Sequence, residues 1–296
     1  MRTDIEFKTE DGTTLRGWHY VPDTGKGKYP TIMMCHGFSA VKEFYLDRFG
    51  EHFAANGFAA VIHDHRNFGA SDGKLRLEID PWQQVRDWRD AITFAETLPQ
   101  TDTDRIGLWG TSYSGSHGIV VGAIDRRIKC VSVQVPLISG WSNARRLIRA
   151  DFIGGFQQGF DADRRARLRG EAPAMVPVVA ENPLDPAALP TPDSYAFCMD
   201  TSKRAPAWRN EVTLRSVEMF MEYEPGAYLP LVAPTPIQMI VATGDVLTVA
   251  DQALAGYETA LHPKRLICLK GGHFDAYVKD FDKAAGAATA WFKEHL

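Results

Sequence analysis

Short apolar runs alternate with longer stretches of helical periodicity along most of the chain. Runs such as "TIMMC", "RIGLW" and "IQMIVA" are apolar over most of their length, which is typical of strands buried on both faces of a parallel sheet. Because parallel strands need crossover connections, the alternation predicts an α/β fold with helices on both faces of the sheet. The predicted strands cover 31–35, 58–63, 105–109, 128–135, 237–242 and 264–269, and the predicted helices lie near 42–55, 81–97, 112–124, 250–261 and 276–294.

The N-terminal end of the chain has a different pattern. "IEFKT" and "TLRGWHYVP" flank the turn sequence "EDG", which predicts an antiparallel hairpin at the edge of the sheet. With this hairpin the sheet has eight strands, most of them parallel.

Composition limits the class of partner. The 296 residues are 45% hydrophobic and 24% charged, which suits a soluble globular protein. A net charge of -4 gives no basic surface for nucleic acid, and no apolar run is long enough for a transmembrane helix. We therefore expect a cytoplasmic protein that binds neither nucleic acid nor membrane, and composition leaves a homodimer open.

The four cysteines are too few and too scattered to form a disulfide framework. Cys35, Cys130 and Cys268 each lie in an apolar run, so we expect them to be buried as small hydrophobic residues. Cys198 lies outside such a run, and its environment stays open.

Residues 140–233 interrupt the alternation, since nearly a hundred residues separate two predicted strands without strand patterning of their own. Helical stretches flank a proline-rich patch, so we interpret this segment as a mostly helical lid inserted between two parts of the core, 1–139 and 234–296. The insertion leaves the sheet after one strand and returns at the next, which predicts a position over the carboxyl edge. Its Trp141, Phe152, Phe156, Trp208 and Phe220 are candidates to line a dry pocket, and Trp141 is a candidate wall for the acyl group.

The lid segment between 140 and 170 is rich in arginine, with seven arginines against three aspartates. Two interpretations remain. The arginines form a solvated helix face with i,i+4 ion pairs, or they steer an anionic substrate to the site.

The stretch "WGTSYSGSHG" follows the predicted strand 105–109 and contains several small hydroxyl residues. A serine nucleophile on a tight strand-to-helix turn needs small residues two positions before and after it. Ser112, with Gly110 and Ser114 in those places, falls at the tip of the turn, and we favour it over Ser114 as the nucleophile. A simple helix cap is the alternative for this turn taken alone.

Two further residues follow neighbouring strands. Asp245 lies just beyond the strand 237–242, and His273 lies just beyond the strand 264–269. Carboxyl ends of parallel strands meet at one edge of the sheet, so both side chains should emerge beside Ser112. The chain order Ser, Asp, His is the order found in α/β-hydrolase triads. We therefore predict Ser112 as nucleophile, His273 as base and Asp245 as its orienting acid.

An oxyanion formed at the attacked carbonyl needs backbone donors. The loop "CHGFS" follows the strand 31–35, and the N–H of Phe38 in this loop can pair with the N–H of Tyr113. These two residues are the predicted oxyanion hole.

The motifs "CHGF", "HDHRNFGASDG", "GTSYSG", "GD" at Asp245 and "GGHFDAY" together resemble the α/β-hydrolase superfamily over nearly the whole chain outside the lid. Within it the sequence is similar to the dienelactone-hydrolase-like and polyketide-transferase-like serine hydrolases. The Ser112–Tyr113 pair is also similar to that of the X-prolyl peptidase relatives. The resemblance implies the α/β-hydrolase fold and the triad and oxyanion roles given above. One departure is Ser114, where the consensus elbow has glycine.

The segment "HDHRNFGASDG" contains two histidines, His63 and His65, flanking Asp64. The resemblance implies a structural loop beside the active site, and the sequence offers no third clustered ligand. We therefore expect no metal and no cofactor.

Two functions of different class follow. The first is a serine hydrolase that cleaves a carboxylic ester or thioester of a small-molecule acyl substrate through an acyl-enzyme, with amides and carbon–carbon bonds as alternatives. The second is a hydrolase-like binding protein that has kept the pocket without the chemistry. The complete Ser, Asp and His set favours the first.

Overall fold

The computed structural model describes residues 1–23 and 27–296. Within these ranges the chain forms ten strands: β1 (Arg2–Lys8), β2 (Thr14–Tyr20), β3 (Tyr29–Cys35), β4 (Ala59–His63), β5 (Thr101–Thr111), β6 (Ile128–Gln134), β7 (Met175–Val176), β8 (Val212–Thr213), β9 (Ile237–Ala242) and β10 (Lys264–Leu269). The same ranges contain ten α-helices: α1 (Leu46–Ala55), α2 (Pro81–Glu96), α3 (Tyr113–Ile124), α4 (Gly140–Leu147), α5 (Ile153–Leu168), α6 (Pro192–Ser202), α7 (Leu214–Met221), α8 (Leu229–Val232), α9 (Ala250–Thr259) and α10 (Phe281–His295).

Eight of the described strands form one sheet in the order β1-β2-β4-β3-β5-β6-β9-β10. β2 is antiparallel to both β1 and β4, while the remaining neighbours are parallel. The predicted edge hairpin and mainly parallel sheet of the α/β-hydrolase fold are therefore confirmed. Parallel strands bring the ends of β3, β5, β9 and β10 to one edge, where the loops that follow them meet.

Helices cover both faces of the sheet because successive strand residues point to opposite sides. On β3, Met33 and Cys35 pack into the cluster that includes α2, α3 and α9, whereas Ile32 and Met34 pack into the cluster that includes α1 and α10. Two apolar layers therefore enclose the sheet and fix the positions of the strand ends.

Local sequence explains where α2 begins. Asp80 caps the helix by accepting hydrogen bonds from the backbone N–H groups of Trp82 and Gln83, and Pro81 occupies the first turn.

The segment 140–233 contains α4 to α8 and is mostly helical. It also holds β7 and β8, a short antiparallel pair that the sequence pattern did not predict. Strands of two residues are too short to show alternation.

Two of the three cysteines expected to be buried are buried, and burial raises the pKa of the Cys35 and Cys130 thiols. The expectation for Cys268 is wrong, because its side chain is exposed. β10 is an edge strand of the sheet, and most of its residues are only partly buried. Cys198, left open by the sequence, is buried. Among the described residues we find no helix that is both long and apolar enough to cross a membrane.

Candidate active site

Ser112 lies in the tight turn between β5 and α3. Its backbone has φ 55° and ψ -122°, a conformation that costs a non-glycine residue on the order of 1–3 kcal/mol. Gly110 makes the turn sterically feasible, because a Cβ there would lie 2.3 Å from the carbonyl oxygen of Ser114. The turn thus holds Ser112 at the carboxyl edge of the sheet.

His273 and Asp245 meet Ser112 at this edge. The Nε2 atom of His273 lies 3.0 Å from the Ser112 Oγ, and its Nδ1 lies 2.7 Å from the Asp245 Oδ2. A carboxylate can only accept, so the Nδ1–H donates to Asp245 and Nε2 is left to accept the Ser112 hydroxyl. His273 and Asp245 are buried, which shields the hydrogen-bonded chain from water.

The Asp245 carboxylate is held by its own loop. Its Oδ1 accepts the backbone N–H groups of Leu247 and Thr248 at 2.8 and 2.9 Å, and the Thr248 hydroxyl lies 2.9 Å from Oδ2. The same hydroxyl is 3.2 Å from His273 Nδ1. Sequence reasoning missed Thr248, although a threonine three residues after an aspartate is a common turn signal.

Ser114, the competing nucleophile, lies in the core. Its hydroxyl donates to the backbone carbonyl of His36, and its Oγ lies 3.0 Å from the His65 Nε2. Both contacts and its complete burial keep it away from His273. The structure therefore brings Ser112, and not Ser114, to the histidine.

The loop after β3 stands against the serine. A Cβ on Gly37 would lie 3.1 Å from the Ser112 Cβ, so glycine allows this close approach. Within the described part of the chain the Phe38 N–H donates to no other group. Tyr113 is the first residue of α3, so its N–H has no carbonyl partner in the helix. Two donors are thus available beside Ser112.

Two cavities meet at Ser112. The residues that line the larger include six with aromatic rings: Phe38, Phe44, Phe197, Trp208, Phe274 and Tyr277. The smaller is lined by residues that include Tyr113, Leu137, Asn143, Leu147 and Phe220. Phe38, Ser112, Leu189 and Leu247 line both. Among the described residues, no aspartate, glutamate, lysine or arginine lines either cavity, so the space around the serine is suited to uncharged groups.

A model of the X-Pro dipeptidyl-peptidase (S15) family matches residues 11–275, which include this whole constellation. The chain belongs to this family. A thiohydrolase, aneE of Aspergillus aculeatus, is 31% identical over 89% of this S15-family chain and 83% of its own length. A polyketide transferase, grgF of a Penicillium species, is 30% identical and covers 100% of this chain and 97% of itself.

Solved structures extend the comparison to the fold. The structure of the alpha/beta hydrolase GrgF from Penicillium sp. sh18 covers 100% of the S15-family chain and 99% of its own, with a TM-score of 0.86 and 28% identity. The resemblance to α/β-hydrolases of the polyketide-transferase-like group is therefore confirmed, and the S15-family chain is an enzyme of that superfamily.

Trp141, which was predicted to form a wall of the acyl pocket, does not line either cavity. The S15-family chain exposes 45% of this residue, which lies under the Arg145 guanidinium at 5.8 Å and lines neither cavity. Asn143 and Leu147, four residues apart on one face of α4, line the smaller cavity instead. Trp141 lies on a different face of the same helix, so the prediction of a pocket wall identified the helix but not the residue.

The other aromatic candidates divide in the same way. Trp208 lines the larger cavity and Phe220 the smaller. Phe152 is about half exposed, and Phe156 packs beside Phe160 in a separate apolar cluster.

The arginines of the segment 140–170 line neither cavity of the S15-family chain. Most of them pair with carboxylates: Arg146 with Asp251, Arg149 with Asp151, Arg164 with Glu218, Arg165 with Asp161, Arg167 with Asp163 and Arg169 with Glu171. These pairs favour the solvated helix face over anion steering.

The loop after β4 is held by buried polar contacts. Asp64 accepts two hydrogen bonds from Lys42, one from its ammonium group at 2.7 Å and one from the Lys42 backbone N–H at 2.8 Å. Cys35 lies beside His63 and His65, and the possible ligand atoms of the three residues are within 4.8 Å of one another. Sequence analysis did not predict this proximity. The Cys35 thiol donates to the His63 carbonyl at 3.0 Å, so it serves the packing between β3 and β4.

Four buried histidines make the S15-family chain sensitive to acid. Desolvation lowers the pKa of His63 and of His117 to about 3, and it lowers the pKa of His36 and His65 as well. The unfolded chain takes up these protons below about pH 6.5, whereas the folded chain does not. The stability that depends on the neutral rings is therefore fully present above that pH and is lost as pH falls toward 3.

We expect the free energy of unfolding to be several kcal/mol lower at pH 5 than at pH 7, since His63 and His117, each with a pKa of about 3, contribute about 2 kcal/mol each to the difference. Urea unfolding at the two pH values measures this. In a His117→Gln variant the difference in unfolding free energy between the two pH values should be smaller by about 2 kcal/mol. Equal stability at both pH values would contradict the prediction.

Proposed function

We propose that this enzyme is a serine hydrolase that cleaves a carboxylic ester or thioester of a small-molecule substrate through an acyl-enzyme. The observation that carries the proposal is the hydrogen-bonded chain from Ser112 through His273 to Asp245, with contacts of 3.0 and 2.7 Å. A histidine so placed can remove the serine proton as the serine oxygen attacks.

In the first step Ser112 Oγ forms a bond to the substrate carbonyl carbon, and its proton passes to His273 Nε2. The imidazolium that results is stabilised by Asp245 on its other nitrogen. The carbon–oxygen or carbon–sulfur bond to the leaving group then breaks, and the leaving group takes the proton from Nε2. A water molecule then attacks the acyl-enzyme with His273 as base, which releases the carboxylic acid and restores Ser112.

The negative charge on the carbonyl oxygen needs donors in place before the reaction. We assign this role to the N–H groups of Phe38 and Tyr113, which flank Ser112 from the β3 loop and from the start of α3. Preorganised donors of this kind contribute about 2.7–4 kcal/mol each to transition-state stabilisation. The glycine at position 37 supports the assignment, because it lets the loop approach the serine closely.

The segment 140–233 has the role of a lid in this proposal. Side chains from it, including Asn143, Leu189, Trp208 and Phe220, line the two cavities. The apolar side chains among them, those of Leu189, Trp208 and Phe220, would exclude water and strengthen the hydrogen bonds of the oxyanion hole. The segment then selects the substrate and takes no part in breaking the bond.

The relatives support ester or thioester chemistry. The name thiohydrolase describes cleavage at sulfur, and the name transferase describes passing a group to an acceptor, a reaction that also begins with an acyl-enzyme on this machinery.

A fluorophosphonate probe tests the proposal, because it reacts with a serine only where a base activates the hydroxyl. We expect stoichiometric labelling of the native enzyme on a single peptide that contains Ser112, and no labelling of Ser112→Ala. A correctly folded native protein that takes up no probe would instead support the binding-protein function.

A further inference from the structure

The two cavities differ in their relation to the base. His273 lines the larger cavity and is not among the residues that line the smaller. In the proposed reaction, on which this inference rests, the leaving group takes its proton from His273 Nε2. The leaving group therefore belongs in the larger cavity, and the acyl group belongs in the smaller one.

The walls of the larger cavity suit a flat, uncharged group. Phe197 and Phe274 stack with ring centroids 4.3 Å apart, and Phe44 lies 5.7 Å from the ring of Trp208. Aromatic rings favour contact with another ring or with a planar group through offset stacking and edge contacts. The described residues that line this cavity include no aspartate, glutamate, lysine or arginine.

Among the described residues that line this cavity, one carries a buried polar group without a hydrogen-bond partner. Trp208 is 7% exposed, and its indole N–H donates to no described residue. A buried N–H is normally paired, as in Trp291, which donates to the Val131 carbonyl at 3.0 Å. Trp88 and Trp109 also lack partners, but they lie in the packed core and line neither active-site cavity. Trp208 thus combines a free buried donor with a position on the substrate cavity.

We propose that the indole N–H of Trp208 donates a hydrogen bond to an uncharged oxygen of the leaving group, and that it thereby selects aromatic leaving groups bearing an ether, carbonyl or hydroxyl oxygen. The absence of a charged side chain on the cavity wall favours a neutral acceptor over a carboxylate. Substrates without that oxygen leave the donor buried and unpaired, which penalises their binding.

Paired esters test the inference. Butanoates of 4-methoxyphenol and 4-ethylphenol differ by an oxygen in place of a methylene, and the two phenols have nearly the same acidity. We expect the native enzyme to favour the methoxyphenyl ester over the ethylphenyl ester in the 4-substituted pair or in the corresponding 3-substituted pair. The expected preference is about tenfold in kcat/KM, which corresponds to one hydrogen bond to a buried donor. Trp208→Phe keeps a ring but removes the N–H, so this preference should fall to about one.

Each preference is a ratio taken within one variant, so a general loss of activity in Trp208→Phe cancels. Trp141→Phe is the matched control, because Trp141 lies outside both cavities, and it should keep the native ratio. The inference is overturned if the native enzyme prefers neither methoxy isomer, or if Trp208→Phe retains the preference.

A binding measurement separates this inference from the proposed function. In Ser112→Ala labelled with ¹⁵N-tryptophan, the Trp208 indole resonance, assigned by its loss in Trp208→Phe, should move downfield when a methoxyphenyl ester binds and much less with the ethylphenyl ester. If the native enzyme cleaves no ester but this shift occurs, the recognition stands and the hydrolase function fails. If esters are cleaved and the resonance does not move, the hydrolase function stands and the recognition by Trp208 fails.

Discussion

Replacing Ser112 by alanine is expected to lower esterase turnover by about three to six orders of magnitude. The variant loses the nucleophile and keeps only the binding pocket and the oxyanion donors. Ser114→Ala should lose less than about tenfold, because alanine also fits the crowded turn. It should instead lose stability, since His65 Nε2 and the His36 carbonyl lose their common partner at a buried site, at a cost of about 1–3 kcal/mol.

The two variants serve as controls for each other, as the two serines lie two residues apart at the start of α3. Initial rates on a nitrophenyl ester, together with urea unfolding, measure both effects. A severe loss of turnover in Ser114→Ala, with Ser112→Ala active, would move the nucleophile to Ser114 and refute the proposed mechanism.

Asp245→Asn is expected to lower turnover by about 10⁴-fold while the fold stays intact. The cause lies in how the loop orients the new amide. Two backbone N–H groups, those of Leu247 and Thr248, donate to the Oδ1 position, so the amide oxygen must occupy it. The amide nitrogen then takes the Oδ2 position, 2.7 Å from His273 Nδ1, and donates to that atom. The proton of the neutral ring is therefore forced onto Nε2. A protonated Nε2 can no longer accept the hydrogen bond of the Ser112 hydroxyl.

Asp251→Asn is the matched control. Asp251 lies in the first turn of α9 and pairs at the surface with Arg146 at 3.0 Å, so its neutralisation should leave turnover unchanged. Steady-state rates and circular dichroism of the two variants make the comparison. Native turnover in Asp245→Asn, or a large loss in Asp251→Asn, would assign the acid to another carboxylate.

The sequence was sufficient to predict the sheet and the residues at its carboxyl edge. Continuous apolar runs marked the parallel strands, and a residue directly after a strand has little freedom in where it emerges. Ser112, Asp245 and His273 could therefore be brought together before any contact was known. Strand and helix ends were less well predicted, since α10 begins at Phe281 and a 3-10 turn covers His273–Tyr277.

The pocket could not be predicted to the same depth. Its walls come from the segment 140–233, where the face that each helix turns inward depends on packing against distant parts of the chain. An aromatic side chain soon after a strand therefore selected Trp141 and not Asn143. Leu189, which lines both cavities, lies in a proline-rich stretch with no periodic signal. The partners of Ser114 and Cys35 were hidden for the same reason, because they lie on neighbouring strands and loops.

Asn143 has a mechanical consequence for substrate entry. Its buried amide nitrogen donates to the Leu247 carbonyl at 2.9 Å, and its oxygen accepts the Val249 N–H at 3.1 Å. These two bonds tie the start of the inserted segment to the loop that orients Asp245. If α4 swung away from the sheet, that loop would lose both bonds. Any opening of the proposed lid that keeps α4 in place would therefore leave the alignment of Asp245 and His273 undisturbed.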